Sequence, residues 1–229
     1  MRILQIVVVS VLVWTALPPT AAGASAKVHV ITFGRWTSVQ WFAGLGTNKA
    51  VVLKIRALVI DGRVKEYTVG APHDVTERLF VVRRVFKMND SLPEDSGLRW
   101  QWERGGWLLL DRQTGRVSPI NLPEFDVLYS VGSWYRDYVA YCGLADDGKK
   151  TYAVVAQISR RKPVLKKPLS NEGVPEDAAP DSACPAPSWQ RSPVRVSFEP
   201  AGGAKQTFAI RGHVVDLVSD AEEDEEGSR

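Results

Sequence analysis

Apolar positions along this chain recur in twos or in short unbroken runs, and no long stretch carries the 3.6-residue spacing of an amphipathic helix. The clearest segment is 134–169, WYRDYVAYCGLADDGKKTYAVVAQISRRKPVLKKPL. Tyr138, Ala140 and Cys142 alternate with Val139 and Tyr141, and both sets are largely apolar, which predicts a strand covered on two faces. Asp146-Asp147-Gly148 supplies residues that tolerate positive φ in a tight hairpin. Residues 151–155, TYAVV, are rich in β-branched and aromatic side chains and form the returning strand. A basic turn and a third strand complete an antiparallel meander.

The same grammar runs through the rest of the chain. Strand patterns occupy 28–33, 38–42, 51–60, 64–69, 79–86, 100–102, 107–110, 117–122, 194–198, 207–210 and 214–218. Between them lie turn clusters: Gly44 to Asn48, Asp61-Gly62 (the strongest hairpin signal in the chain), a loop over 89–97, and Thr114-Gly115. The fold class this predicts is all-β, built from antiparallel meanders.

The ends and one internal stretch differ in kind. Residues 1–26 read as a secretory signal: Arg2 gives a positive start, an apolar run covers 3–13, and Ala24-Ser25-Ala26 fits a small-x-small cleavage site. That run is short for a membrane anchor, so no stable span is expected after cleavage, and the protein is expected in a periplasmic or secreted location. The β domain then covers 27–219. Within it, residues 168–193 are proline-rich, acidic and poor in apolar residues, and read as a flexible insert. Residues 220–229 hold six acids and read as a disordered tail.

Aligned turns suggest a repeat. Ile60-Asp61-Gly62-Arg63-Val64 resembles Gln113-Thr114-Gly115-Arg116-Val117, and Arg161-Lys162-Pro163-Val164 and Arg211-Gly212-His213-Val214 take corresponding places, roughly fifty residues apart. On Trp134, Val139-Ala140-Tyr141, Asp147-Gly148-Lys149 and the apolar strand from Tyr152 to Ile158, the segment resembles a blade of the WD-like and Tol-type periplasmic β-propellers. The resemblance implies a small four-bladed ring with partners on the loop face at one end. A β-sandwich or barrel is the alternative, since its strands are also short and evenly spaced.

Chemistry-bearing residues are few. Cys142 and Cys184 are the two cysteines, and in an oxidising compartment a disulfide between them is expected. His29, His73 and His213 form no metal-like pair, and no zinc, phosphate-loop, dinucleotide or nucleophile-elbow motif occurs. No cofactor is expected. His73, in Pro72-His73-Asp74, reads as a solvated loop residue. A composite catalytic site on loops would have to draw on His73, Asp74 and Asp126.

The aromatic content is more suggestive. Of eight tryptophans, Trp100 and Trp102 stand two apart and share a strand face, where they form either core or a stacking platform. Trp189, in the proline-rich stretch, is expected to be exposed. The formal net charge is +3 with an acidic tail, so the body is more basic than that figure. Clusters at Arg83-Arg84, Arg160-Arg161-Lys162 and Lys166-Lys167 carry the excess, although alternation places Arg83 and Arg84 on opposite faces. Nucleic acid is not an expected partner in an exported location. The leading reading is a non-enzymatic envelope interaction module binding through Trp100, Trp102 and Trp189, with Arg160, Arg161 and Lys162 contributing charge. Its partner is an envelope protein or a glycan; a carbohydrate-binding module and a hydrolase-type enzyme are the alternatives.

Overall fold

A computed structural model describes residues 28–42, 50–89, 91, 93–94, 97–148, 150–169, 184–211 and 214–218. The expected signal, the acidic tail, Lys149 and His213 lie outside the described residues. Every regular element among those described is a strand, in three sheets, so the chain is all-β.

The first sheet contains β1 (Ile31–Phe33), β2 (Thr37–Phe42), β3 (Ala50–Ile60), β4 (Arg63–Asp74), β5 (Leu79–Asn89), β6 (Trp100–Asp111) and β7 (Val117–Ile120). Antiparallel pairing runs from β2 through β3, β4 and β5 to β6, and a single parallel bridge, Trp41 to Trp102, returns it to β2. The circuit is a five-stranded barrel, with β1 added to β3 and β7 to β6. Asp61 and Gly62 both take positive φ (52° and 75°), as a tight Asp-Gly hairpin requires. The Asp61 carboxylate also accepts a bond from the Val30 amide (3.1 Å) and meets His29 Nδ1 (2.8 Å), which holds the start of the chain against this hairpin.

The long strands bury different faces at their two ends. Leu58, Ile60, Phe80, Val82, Leu108 and Leu110 form one core cluster, closed by Ile31, Phe33 and Val117. Ile55 and Val85 are also buried, yet each stands three residues from a member of that cluster along its own strand. They therefore point from the opposite face. Gly115 (φ 63°) lets the β6–β7 turn close over His29, because a Cβ there would come within 2.9 Å of the imidazole.

The other two sheets are four-stranded meanders. β8 (Ser133–Tyr135), β9 (Tyr138–Leu144), β10 (Thr151–Gln157) and β11 (Leu165–Leu169) coincide with the 134–169 segment. β12 (Ser188–Arg191), β13 (Val194–Phe198), β14 (Gln206–Arg211) and β15 (Val214–Val218) form the last. The 138–142 strand is covered on two faces, as its pattern predicts. Ala140, Cys142, Ala153 and Val155 pack with Val196, Phe198 and Phe208 of the third sheet. Val139, Tyr141, Val154 and Ala156 pack instead against Leu122, Phe125 and Trp134.

The four aligned turns all join hairpin partners: β3 to β4, β6 to β7, β10 to β11 and β14 to β15. They do not mark four separate sheets. β4 pairs with β5 and β2 with β6, so the first two units share one sheet. The expected insert is also narrower than 168–193: β11 reaches Leu169, Cys184 is buried and β12 is a strand, while 170–183 fall outside the described residues.

Cys142 and Cys184 are joined in a disulfide, with Cα atoms 6.2 Å apart and a sequence separation of 42. Replacing both by alanine is expected to lower the unfolding free energy by about 2–4 kcal/mol, read by urea denaturation. A midpoint identical to the parent's under non-reducing conditions would contradict the bond.

Candidate functional site

Trp100 and Trp102 lie at one end of β6, where the barrel closes. Trp41 is the buried anchor there (3% exposed), capped by the Arg104 guanidinium 3.8 Å from its ring centre. Trp102 is half-buried, edge-on to Tyr67 (5.1 Å) and beneath the Lys87 ammonium (5.2 Å). Trp100, two residues on and sharing that face, is 57% exposed. Val51 is exposed on the same face, whereas exposed Val52 and Met88 pair with Gln40 and Gln101 on the opposite one, and exposed Leu98 precedes β6. Of the two readings for this pair, core describes Trp102 in part and a surface platform describes Trp100.

The remaining expected binding residues lie elsewhere. Arg160, Arg161 and Lys162 are exposed on the β10–β11 turn. Arg160 and Arg161 line a groove of about 520 Å³ that reaches Leu109, Pro119 and Ile120. Leu109 is nine residues from Trp100 along β6, roughly 30 Å of extended strand. The tryptophans and the basic turn therefore do not share a surface.

Trp189 is a correction. It is half-buried on β12, stacked on Tyr135 at 5.4 Å, and its indole N–H donates to the Ser133 carbonyl (3.1 Å). Its neighbours are supplied by the second sheet, so the proline-rich sequence around it gives no hint of them. His73 is another. It belongs to strand β4, not to a loop, stacks on Trp134 at 5.8 Å, and pairs through Nε2 with the Arg136 carbonyl at 2.8 Å. Trp134 in turn meets Trp107 edge-on at 5.2 Å, which makes an aromatic seam between barrel and second sheet.

The carboxylates considered for a composite site are also engaged structurally. Asp74 pairs with Arg112 at 2.6 Å. Asp126 accepts from the Leu128 and Tyr129 amides (2.8 and 2.7 Å), the arrangement of an Asx turn. Of the clustered bases, Arg84 pairs with Glu66 (2.9 Å), while Arg83 is buried on backbone carbonyls, so this pair forms no basic patch. Burial pushes the Tyr141 hydroxyl well above its ordinary pKa, so it stays protonated and donates to the Pro123 carbonyl at 2.6 Å. Among the described residues no group of three His, Cys, Asp or Glu side chains could hold a metal ion, and no helix is long and apolar enough to cross a membrane.

Sequence reasoning missed a pocket beside Trp36, where β4 leaves β3. Trp36 is isolated among polar residues in the sequence, and its pocket depends on a strand irregularity that spacing does not reveal. No family model, curated protein or solved structure matches this chain.

The two kinds of tryptophan separate by mutation. Trp41→Ala is expected to cost about 3–5 kcal/mol, as a buried aromatic truncation does. Trp100→Ala is expected to stay within about 0.5 kcal/mol of the parent in thermal or urea unfolding. Equal losses would place Trp100 in the core.

Proposed function

We propose that this chain is an exported, non-enzymatic β-domain that binds another envelope protein through the barrel end around Trp100. The observation that carries the reading is Trp100, 57% exposed on a strand face that it shares with Trp102, with exposed Val51 brought to the same face by the Val51–Trp41 and Trp41–Trp102 pairings. Large rigid aromatic rings in such a setting are the usual anchors of protein interfaces, and exposed apolar patches on soluble domains mark interaction sites. Lys87 over Trp102 supplies a charged rim. The residues committed to this role are Trp100 and Trp102. Arg160, Arg161 and Lys162 remain a separate electrostatic element, and Trp189 has a packing role.

Export is supported by the leader pattern at 1–26 and by a disulfide, which persists in oxidising compartments. A blade-like repeat is supported only by the second and third sheets, each a four-stranded meander, since the first two units share one sheet. A glycan partner at the Trp100 end is the second reading, favoured by the shared face of Trp100 and Trp102.

A photo-crosslinking residue at position 100, introduced in the producing cell, is expected to trap one discrete envelope protein. The same probe at exposed Val64 should trap none. The mature N-terminus is expected at Lys27 by mass spectrometry of the purified protein. Identical crosslink patterns from positions 64 and 100 would defeat the interface assignment, and a retained leader would defeat the export assignment.

A further inference from the structure

β3 and β4 pair from Ile60–Arg63, through a bulge beside Leu58 and Val59, as far as Ile55–Val69, and there β4 breaks away. Its next pairing to β5 resumes only at His73, after an irregularity that takes in Gly70. Gly70 has φ 73°, a conformation open to glycine and costly for other residues. The departure leaves an open pocket of about 550 Å³, within the size range of small-ligand sites, lined by Trp36, Ser38, Lys54, Val69 and Gly70.

The groups lining it differ in character from those of the Trp100 end. Trp36 is 49% exposed, and the Arg56 guanidinium lies 4.4 Å from its ring centre and 4.0 Å from that of Phe33. The cation thus braces the indole from the protein side and adds positive charge next to the pocket. Lys54 precedes Arg56 by two residues on the same strand, so both cations project from one face of β3. Among the described residues neither has an ion-pair partner, whereas Arg78, Arg84, Arg112 and Lys166 all do. The Arg56 Nε is buried without a hydrogen-bond acceptor, and desolvation lowers the pKa of this guanidinium. Two cations without an ion-pair partner among the described residues, beside a braced, half-open indole and a hydroxyl, ask for an anion carrying a flat apolar face and hydroxyl groups.

We propose that the Trp36–Ser38–Lys54 pocket binds an acidic sugar residue of an anionic glycan. The pyranose ring lies against the exposed part of the Trp36 indole. Its carboxylate pairs with Lys54, in the field of Arg56, and a ring hydroxyl exchanges a hydrogen bond with Ser38 Oγ. Charge selects the acidic sugar over a neutral one, and the ring selects a sugar over a bare anion. The site is separate from the Trp100 surface and does not rest on it.

Isothermal titration of the purified full chain tests this with four probes: an oligogalacturonate, a neutral malto-oligosaccharide of equal length, inorganic phosphate and a polyglutamate peptide. The oligogalacturonate is expected to bind at least about tenfold more tightly than each of the others, the value of one charge-assisted contact or one stacked ring. Lys54→Gln is expected to reduce its affinity to that of the neutral oligomer. Trp36→Ala should abolish measurable binding, and Trp100→Ala should leave it unchanged. Near-UV circular dichroism checks that each variant is folded, and Lys54→Gln at an exposed strand position remains decisive if Trp36→Ala is not. Equal binding of acidic and neutral oligomers overturns the proposal. So does polyglutamate or phosphate binding as tightly as the acidic sugar, which would make the pocket a general anion or acidic-peptide site. Affinity for oligogalacturonate that falls with Trp100→Ala but not with Lys54→Gln overturns it in favour of the barrel end.

Discussion

A buried guanidinium holds the first sheet to the rest of the molecule. Arg83 is 7% exposed, and its N–H groups donate to the carbonyls of Gly105 (3.3 Å), Ser130 (3.0 Å) and Val127 (2.7 Å). A cation taken out of water is tolerable only where such acceptors replace the solvent it loses. Gly105 belongs to β6 of the barrel, whereas Val127 and Ser130 belong to the segment leading to the second sheet. One side chain therefore spans the junction. Ser130 extends it, because its hydroxyl donates to the Cys142 carbonyl at 2.7 Å and also accepts from the Asp126 amide. Phe125, which lies beside the Arg83 guanidinium, packs edge-on against Tyr141.

From that junction the layers follow. The connecting segment covers one face of the second sheet and the third sheet covers the other, which is why β9 and β10 are apolar at nearly every position. The disulfide joins Cys142 of β9 to Cys184, ahead of the third sheet, and His73, Trp134 and Trp107 fill the space between barrel and second sheet. With the seams occupied by Trp107, Trp134 and Trp189, the most exposed tryptophans among the described residues are those at barrel margins. Trp36 and Trp100 are 49% and 57% exposed, and each lies where strand pairing runs out. The two proposed binding surfaces share that origin.

Local chemistry was legible in the sequence and long-range pairing was not. Asp61-Gly62 and Thr114-Gly115 mark true hairpins because the positive φ seen at Asp61, Gly62 and Gly115 is a property of the residues themselves. The two-sided apolar pattern at 138–142 was legible for the same reason: burial on both faces leaves no polar phase. What spacing does not carry is which strand a hairpin joins next. The pairing of β4 with β5, and of β2 with β6 through Trp41 and Trp102, merged two expected units into one barrel. Arg83 and Arg84 are adjacent and chemically identical, yet alternation sends one into a carbonyl cage and the other to Glu66. His73 and Trp189 were misread because their partners, Trp134 and Tyr135, come from distant sequence. The Trp36 pocket was invisible because it is made by the departure of β4 at Gly70.

The measurement that bears most directly on this account is amide hydrogen exchange on an Arg83→Met variant, which keeps much of the side chain's length and removes its charge and donors. The account predicts that protection falls first across residues 121–135 and then in β8 and β9, while β3 and β5 within the barrel keep theirs. Uniform loss across all three sheets, or exchange indistinguishable from the parent at 121–135, would contradict the assignment of the junction to Arg83.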